Sequence, residues 1–151
     1  MIAPSEFRFS GYQAQGVQPA VVGPLPPAWR DAWRVHVEAW ERTMAMLRPG
    51  VTFEEILHAA DGASAGQFHA RQTLHGQGLG DDMPLITTSS LRANRMGDRV
   101  VEEGVCFVLK PYARWTDHAG EKELNWGDTV VITAEGARRL GARPHEIIVN
   151  D

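Results

Sequence analysis

The side chain best suited to chemistry in this chain is a histidine set among glycines, in Leu74-His75-Gly76-Gln77-Gly78-Leu79-Gly80-Asp81-Asp82-Met83-Pro84. An imidazole titrates near neutrality, so His75 can move protons or give a lone pair to a metal ion. Two carboxylates follow it. Asp82 could orient His75 as an acid or base, or His75 with Asp81 and Asp82 could hold a single cation. Neighbouring residues usually point apart, which argues against both carboxylates converging on one point. The plainer reading is a glycine-rich turn whose aspartates cap a helix or stay in water. Cys106 is the only cysteine. It excludes an internal disulfide framework, fits a reducing cytoplasm and reads as a small buried strand residue. His58 reads as a surface or half-buried side chain. The formal charge of −4 comes without any block of like charges, so nothing favours a nucleic-acid partner.

These groups need elements to position them. Phe7 to Gly23 reads as two short strands around a Gly11-Tyr12 turn, broken off by Pro24, Pro26 and Pro27. From Ala28 to Leu47 the apolar residues Trp29, Trp33, Val37, Trp40, Met44 and Leu47 recur in steps of three and four. That spacing predicts an amphipathic helix opened by Pro27 and closed by Pro49-Gly50, with its tryptophans packed into a core. Thr52 and Glu55 form a capping box for a second helix through Phe53, Ile56, Leu57 and Ala60. Strands are expected at Arg99–Val101, Val105–Leu109, Thr129–Thr133 and Glu146–Val149. Arg114–Lys122 is expected to be an exposed polar loop, and Ala134–Leu140 a short helix or turn. With 43% hydrophobic residues, and no apolar run near bilayer length, the chain reads as one globular α+β domain with no membrane span. No secretory signal is visible at its start.

Four segments stand in a recognisable order: Ala45-Met-Leu-Arg-Pro-Gly-Val-Thr-Phe-Glu-Glu-Ile56, His75-Gly-Gln-Gly-Leu79, Glu103-Gly-Val-Cys-Phe-Val-Leu-Lys-Pro111 and Gly127-Asp-Thr-Val-Val-Ile-Thr-Ala-Glu-Gly136. Together they resemble the C-terminal part of the "pita-bread" superfamily of creatinase, prolidase, aminopeptidase P and methionine aminopeptidase. Gly11-Tyr12-Gln-Ala-Gln15 is similar to that superfamily's Gly-Tyr-x-x-Asp segment. The resemblance implies an α+β fold in which a curved, mainly antiparallel sheet carries helices on one face. Residues 1–23 would be the tail of a first half-domain, and residues 24–151 the second half.

Active members of the superfamily hold two metal ions with two Asp, one His and two Glu. Paired cations share a bridging hydroxide and polarise a carbonyl, and carboxylates suit hard divalent ions. By this resemblance the first Asp falls at Pro4, the second at Gln15, the His at His75, and the Glu positions at Lys110 and Gly127. The family's second histidine and general-base Glu fall at Asp82 and Met83. A protonated lysine has no lone pair and repels a dication. The resemblance therefore implies a metallopeptidase-like domain with a degenerate dinuclear site, no metal and no cofactor, acting as a binding or assembly module. The alternative is a metal-free or single-metal hydrolase or lyase of the superfamily using His75 as acid/base, since creatinase itself works without metal. A half-domain leaves sheet edges and apolar faces open, so a homodimer or a partner chain completing the fold is expected, with a peptide or small molecule as a further candidate ligand.

Overall fold

Ser10 and Gly11 both take positive φ, 49° and 89°, as a two-residue hairpin turn requires. They join β1 (Ile2–Phe9) to β2 (Tyr12–Val22). The turn falls one residue earlier than expected, because Tyr12 is already paired with Phe9. The computed structural model describes residues 2–87 and 95–150.

Pro27 occupies the first turn of α1 (Pro27–Met46), where a missing N–H costs nothing. Its buried stripe is Ala32, Val35, His36, Ala39, Trp40 and Thr43. Trp29 and Trp33 flank that stripe half-exposed, so small residues and a histidine take the centre where larger residues were expected. α2 (Phe53–Ala59) begins at the predicted capping box. Thr52 Oγ1 accepts from Glu55 N–H while the Glu55 carboxylate accepts from Thr52 N–H at 2.8 Å.

A 3-10 turn at Asp61–Ala63 leads to β3 (His69–Arg71), β4 (Leu74–Gln77) and β5 (Asp81–Ile86). Beyond them lie β6 (Cys106–Leu109), β7 (Tyr112–Asp117) and β8 (Gly120–Asn125). The chain ends with β9 (Asp128–Thr133), β10 (Gly136–Arg139) and β11 (Ile148–Asn150). The strands form three sheets, ordered β1-β2-β11, β10-β9-β6-β4-β5 and β3-β7-β8. Every pairing is antiparallel except β11 with β2. The expected α+β class is thus observed.

Four local expectations differ. The histidine segment turns only at Gly78–Gly80: Leu74–Gln77, with the histidine, is a fully buried strand between β5 and β6. Its glycine serves close approach, since a Cβ on Gly76 would stand 2.5 Å from Met83 O. Arg114–Lys122 is not a loop but most of the β7–β8 hairpin, because Trp115 is 2% exposed and alternates with polar residues on the outer face. Ala134–Leu140 contains β10, which folds back on β9. Arg99–Val101 contributes only a single bridge, Val100 to Thr52.

α1 is long enough to serve two cores. Its C-terminal half, with α2, covers the five-stranded sheet through Trp40, Leu47, Ile56, Leu74, Phe107, Trp126 and Ile132. Its N-terminal half covers the β3-β7-β8 sheet through Ala32, Val35, Ala39, Ala113, Trp115 and Leu124. The carboxyl end of β6 lies where β2, β4 and β9 meet.

Candidate functional site

β2 carries Gln15 into that junction. Its main chain is clamped to β9 on both sides. Gln15 N–H donates to Thr129 Oγ1 at 2.9 Å, and the same hydroxyl donates to Gln15 O at 3.1 Å. Two residues on, Val17 and Gly127 exchange backbone hydrogen bonds. With its backbone held, the Gln15 amide faces three partners. Nε2 donates to Glu6 Oε1 at 3.0 Å, Oε1 accepts from Lys110 Nζ at 2.8 Å, and His75 Nε2 lies 3.3 Å from that same Oε1.

Lys110 is fixed by its neighbours in sequence. Its N–H donates to Thr73 O, and Pro111 O accepts from His36 of α1 at 2.8 Å. Burial pulls the Lys110 ammonium below the usual lysine range, while the charges of Asp81 and Glu6 pull it back up. The result is a chain of charge and dipole, from Glu6 through Gln15 to Lys110.

His75 is 7% exposed and has an acceptor at each ring nitrogen. Nδ1 lies 2.9 Å from Gly76 O, with the Asp81 carboxylate 3.8 Å away, and Nε2 faces Gln15 Oε1. The carboxylate near the ring is therefore that of Asp81. Asp82 turns away and accepts from Leu79 N–H at 3.2 Å, closing the β4–β5 turn. Gly127 brings only backbone. A Cβ there would stand 2.6 Å from Lys110 Cβ and 3.0 Å from Leu109 O. Gly127→Ala should therefore cost about 1–3 kcal/mol through overpacking. Urea denaturation checks this, and wild-type stability would show that the two strands can part.

In this cluster the amide oxygen of Gln15 already accepts from the ammonium of Lys110. Among the described residues no group of three or more His, Cys, Asp or Glu side chains is placed to share an ion.

Beside this cluster lies a second buried polar group that sequence reasoning missed. His36 Nδ1–H donates to Pro111 O, which leaves Nε2 as an acceptor for His145 Nε2–H at 3.1 Å. Burial and the facing His145 lower the His36 pKa to about 3, and burial with Arg139 nearby lowers His145 to about 4. Trp33, Trp40 and Trp126 enclose His145, with ring centroids 5.0, 5.4 and 4.4 Å away. Asp128, 5% exposed, pairs with Arg139 at 3.0 Å, and both Arg139 and Arg143 lie over the Trp126 ring. The available signal was the i, i+4 step from Ala32 through His36 to Trp40, which puts a histidine in the centre of a buried stripe.

A family model for metallopeptidase family M24 matches residues 5–134. The chain belongs to family M24. Its M24 relatives include an Xaa-Pro dipeptidase of Pyrococcus furiosus, 24% identical over 93% of this chain and 39% of that protein. A probable dipeptidase PepE of Mycobacterium tuberculosis is 26% identical over 92% of this chain and 36% of its own length. The M24 fold is shared with an X-Pro aminopeptidase from Thermotoga maritima (TM-score 0.81, 20% identity, 98% of this chain and 41% of that one). It is shared equally with the N-terminal domain of the FACT complex subunit SPT16 from chickpea, Cicer arietinum (TM-score 0.79, 15% identity, 99% and 37%). The chain thus spans about two fifths of the length of these proteins.

Proposed function

We propose that this chain is a non-catalytic module of the M24 fold, built for binding or assembly rather than peptide hydrolysis. One observation carries the reading: Lys110 Nζ donates to Gln15 Oε1 at 2.8 Å. In the family's pattern both positions would hold carboxylate ligands; here an ammonium and an amide satisfy each other. Gly127, in a third such position, has no side chain and no room for one. Pro4 stands at the fourth, and His75 is the remaining ligand type. The same reading takes residues 1–23 as the tail of a first half-domain and 24–151 as the second half, in a cytoplasmic protein that works with a second copy or a partner chain. The likeness to a domain described as part of a complex subunit supports an assembly role.

A second reading, a metal-free or single-metal hydrolase or lyase with His75 as acid/base, draws on the Asp81 carboxylate 3.8 Å from Nδ1. The burial of the ring favours the first reading. An Xaa-Pro and methionyl-peptide screen separates the two. The assembly reading expects no turnover above buffer, with or without added Mn²⁺, and no difference between wild type and His75→Ala. Turnover abolished by His75→Ala, with or without added metal, establishes the second reading and contradicts the first.

A further inference from the structure

The backbone of β2 shows which way each residue of the hairpin faces. Gln13, Gln15 and Val17 send their N–H groups away from β1, to Gly78 O, Thr129 Oγ1 and Gly127 O. Their partners across the hairpin are Arg8, Glu6 and Pro4. In an antiparallel ladder these are the non-hydrogen-bonded pairs, so the N–H and C=O groups of Arg8 and Glu6 point out of the open edge of β1. Pro4 sits at the next such position, where it removes an outward donor, as prolines on edge strands do. Among the described residues β1 is the terminal strand of its sheet. It carries Phe7 and Phe9, 66% and 85% exposed, beside Tyr12, 68% exposed. An eight-residue edge strand with an open ladder and exposed aromatics is a template for another strand.

We infer that the occupant of this edge is a second copy of the chain, paired β1 to β1 antiparallel about a two-fold axis at Phe7, with Glu6 of each copy opposite Arg8 of the other. Three registers can be compared. Centring on Glu6 sets two carboxylates face to face and sets Pro4, which has no N–H, against Arg8. Centring on Arg8 sets two guanidinium groups together and pushes Glu6 against the Ser10 turn. Centring on Phe7 alone sets opposite charges across both pairs, with every outward N–H of Glu6 and Arg8 finding a carbonyl. It places the Phe7 rings in the closely spaced, non-hydrogen-bonded position and gathers Phe9 and Tyr12 of both copies on the same face. On the other face, Arg8 of the second copy lies beside Glu6, the residue that holds the Gln15 amide at 3.0 Å. The dimer thus completes the Glu6–Gln15–Lys110 chain with a further cation. The geometry stands apart from the assembly reading, which it deepens: peptide turnover tests one and the mass of the particle tests the other.

Sedimentation equilibrium of the full chain at tens of micromolar should give a dimer. Glu6→Arg or Arg8→Glu alone should each weaken it at least about tenfold by setting like charges opposite. The double variant Glu6→Arg/Arg8→Glu should restore it, because each reversed pair again matches. Phe7→Cys in a Cys106→Ser background should form an intermolecular disulfide on mild oxidation, since paired Cα atoms at such positions are about 4.5 Å apart. Circular dichroism establishes that each variant is folded. A wild-type monomer, alone or bound to some other protein, overturns the inference. So does a dimer indifferent to both single reversals, or a folded double variant that stays monomeric.

Discussion

Lys110→Met should lower the stability of the folded chain by about 1–3 kcal/mol, even though it removes a charge from a half-buried site and keeps most of the apolar stem. For a chain of this size that is roughly 3–10 °C in melting temperature. In the wild type the ammonium donates to Gln15 Oε1, and Glu6 accepts from the other end of that amide. Without it, Gln15 Oε1 keeps only His75, at 3.3 Å, and the Glu6 and Asp81 carboxylates lose the cation between them. Glu6→Gln in the Lys110→Met background should cost less than in the wild type, because the charge it removes has already lost its counterpart. Paired denaturant titrations measure that coupling. Unchanged stability in Lys110→Met would mean that the lysine is a solvated bystander and that its hydrogen bond to Gln15 does not hold the site together.

Acidification should destabilise the chain through His36 and His145. Both are bases whose folded pKa values lie below the ordinary 6.5, at about 3 and about 4. The unfolded chain therefore binds more protons as pH falls below about 6.5, and stability is lost progressively from there toward pH 3. His36 should dominate. Its Nδ1–H is committed to Pro111 O, and a proton on Nε2 would face the N–H of His145. His145 is more open to water and adds less. The loss from this pair should reach about 2–4 kcal/mol at pH 5 relative to pH 7.5, the lower figure being that of His36 alone. Thermal melts across that range in wild type and in His36→Leu/His145→Phe check it. The double variant should show a clearly flatter pH dependence, and parallel curves would contradict the assignment. Because His36 anchors Pro111, the residue after Lys110, the same protonation should loosen the Lys110–Gln15 contact.

The parts of this molecule written in short-range patterns were legible in the sequence. The three- and four-residue spacing of α1, the Thr52–Glu55 capping box and the apolar runs of β6 and β9 each depend on neighbours a few residues away. The ordered motifs also carried the family and its fold. What was not legible depends on distant partners. Leu74–Gln77 has turn-like composition, but its one glycine, Gly76, admits the backbone of β5, so a strand results. The polar outer face of β7 and β8 hid a hairpin whose inner face holds Trp115. Within the site, Gln15, His75 and Lys110 were named from the sequence, and the structure brings all three together. Asp82 was named where Asp81 is the carboxylate nearer the ring, because the β-bulge between His75 and Gly76 shifts the register of β5. Glu6 and Thr129, which hold Gln15 from either side, come from strands far apart in the chain and leave no local signature. The same is true of the His36–His145 pair, 109 residues apart.

The central claim is that side-chain hydrogen bonds among Lys110, Gln15 and His75 stand in place of a metal pair. Metal content tests it most directly: the full chain is incubated with Mn²⁺, Co²⁺ or Zn²⁺ in turn, desalted, and measured by elemental mass spectrometry beside its melting temperature. The prediction is far less than one equivalent retained and no rise in melting temperature with any of the three, since an ion with no site in the folded state cannot stabilise it. One or two equivalents retained by wild type, with a matching rise in melting temperature lost in His75→Ala, would contradict it.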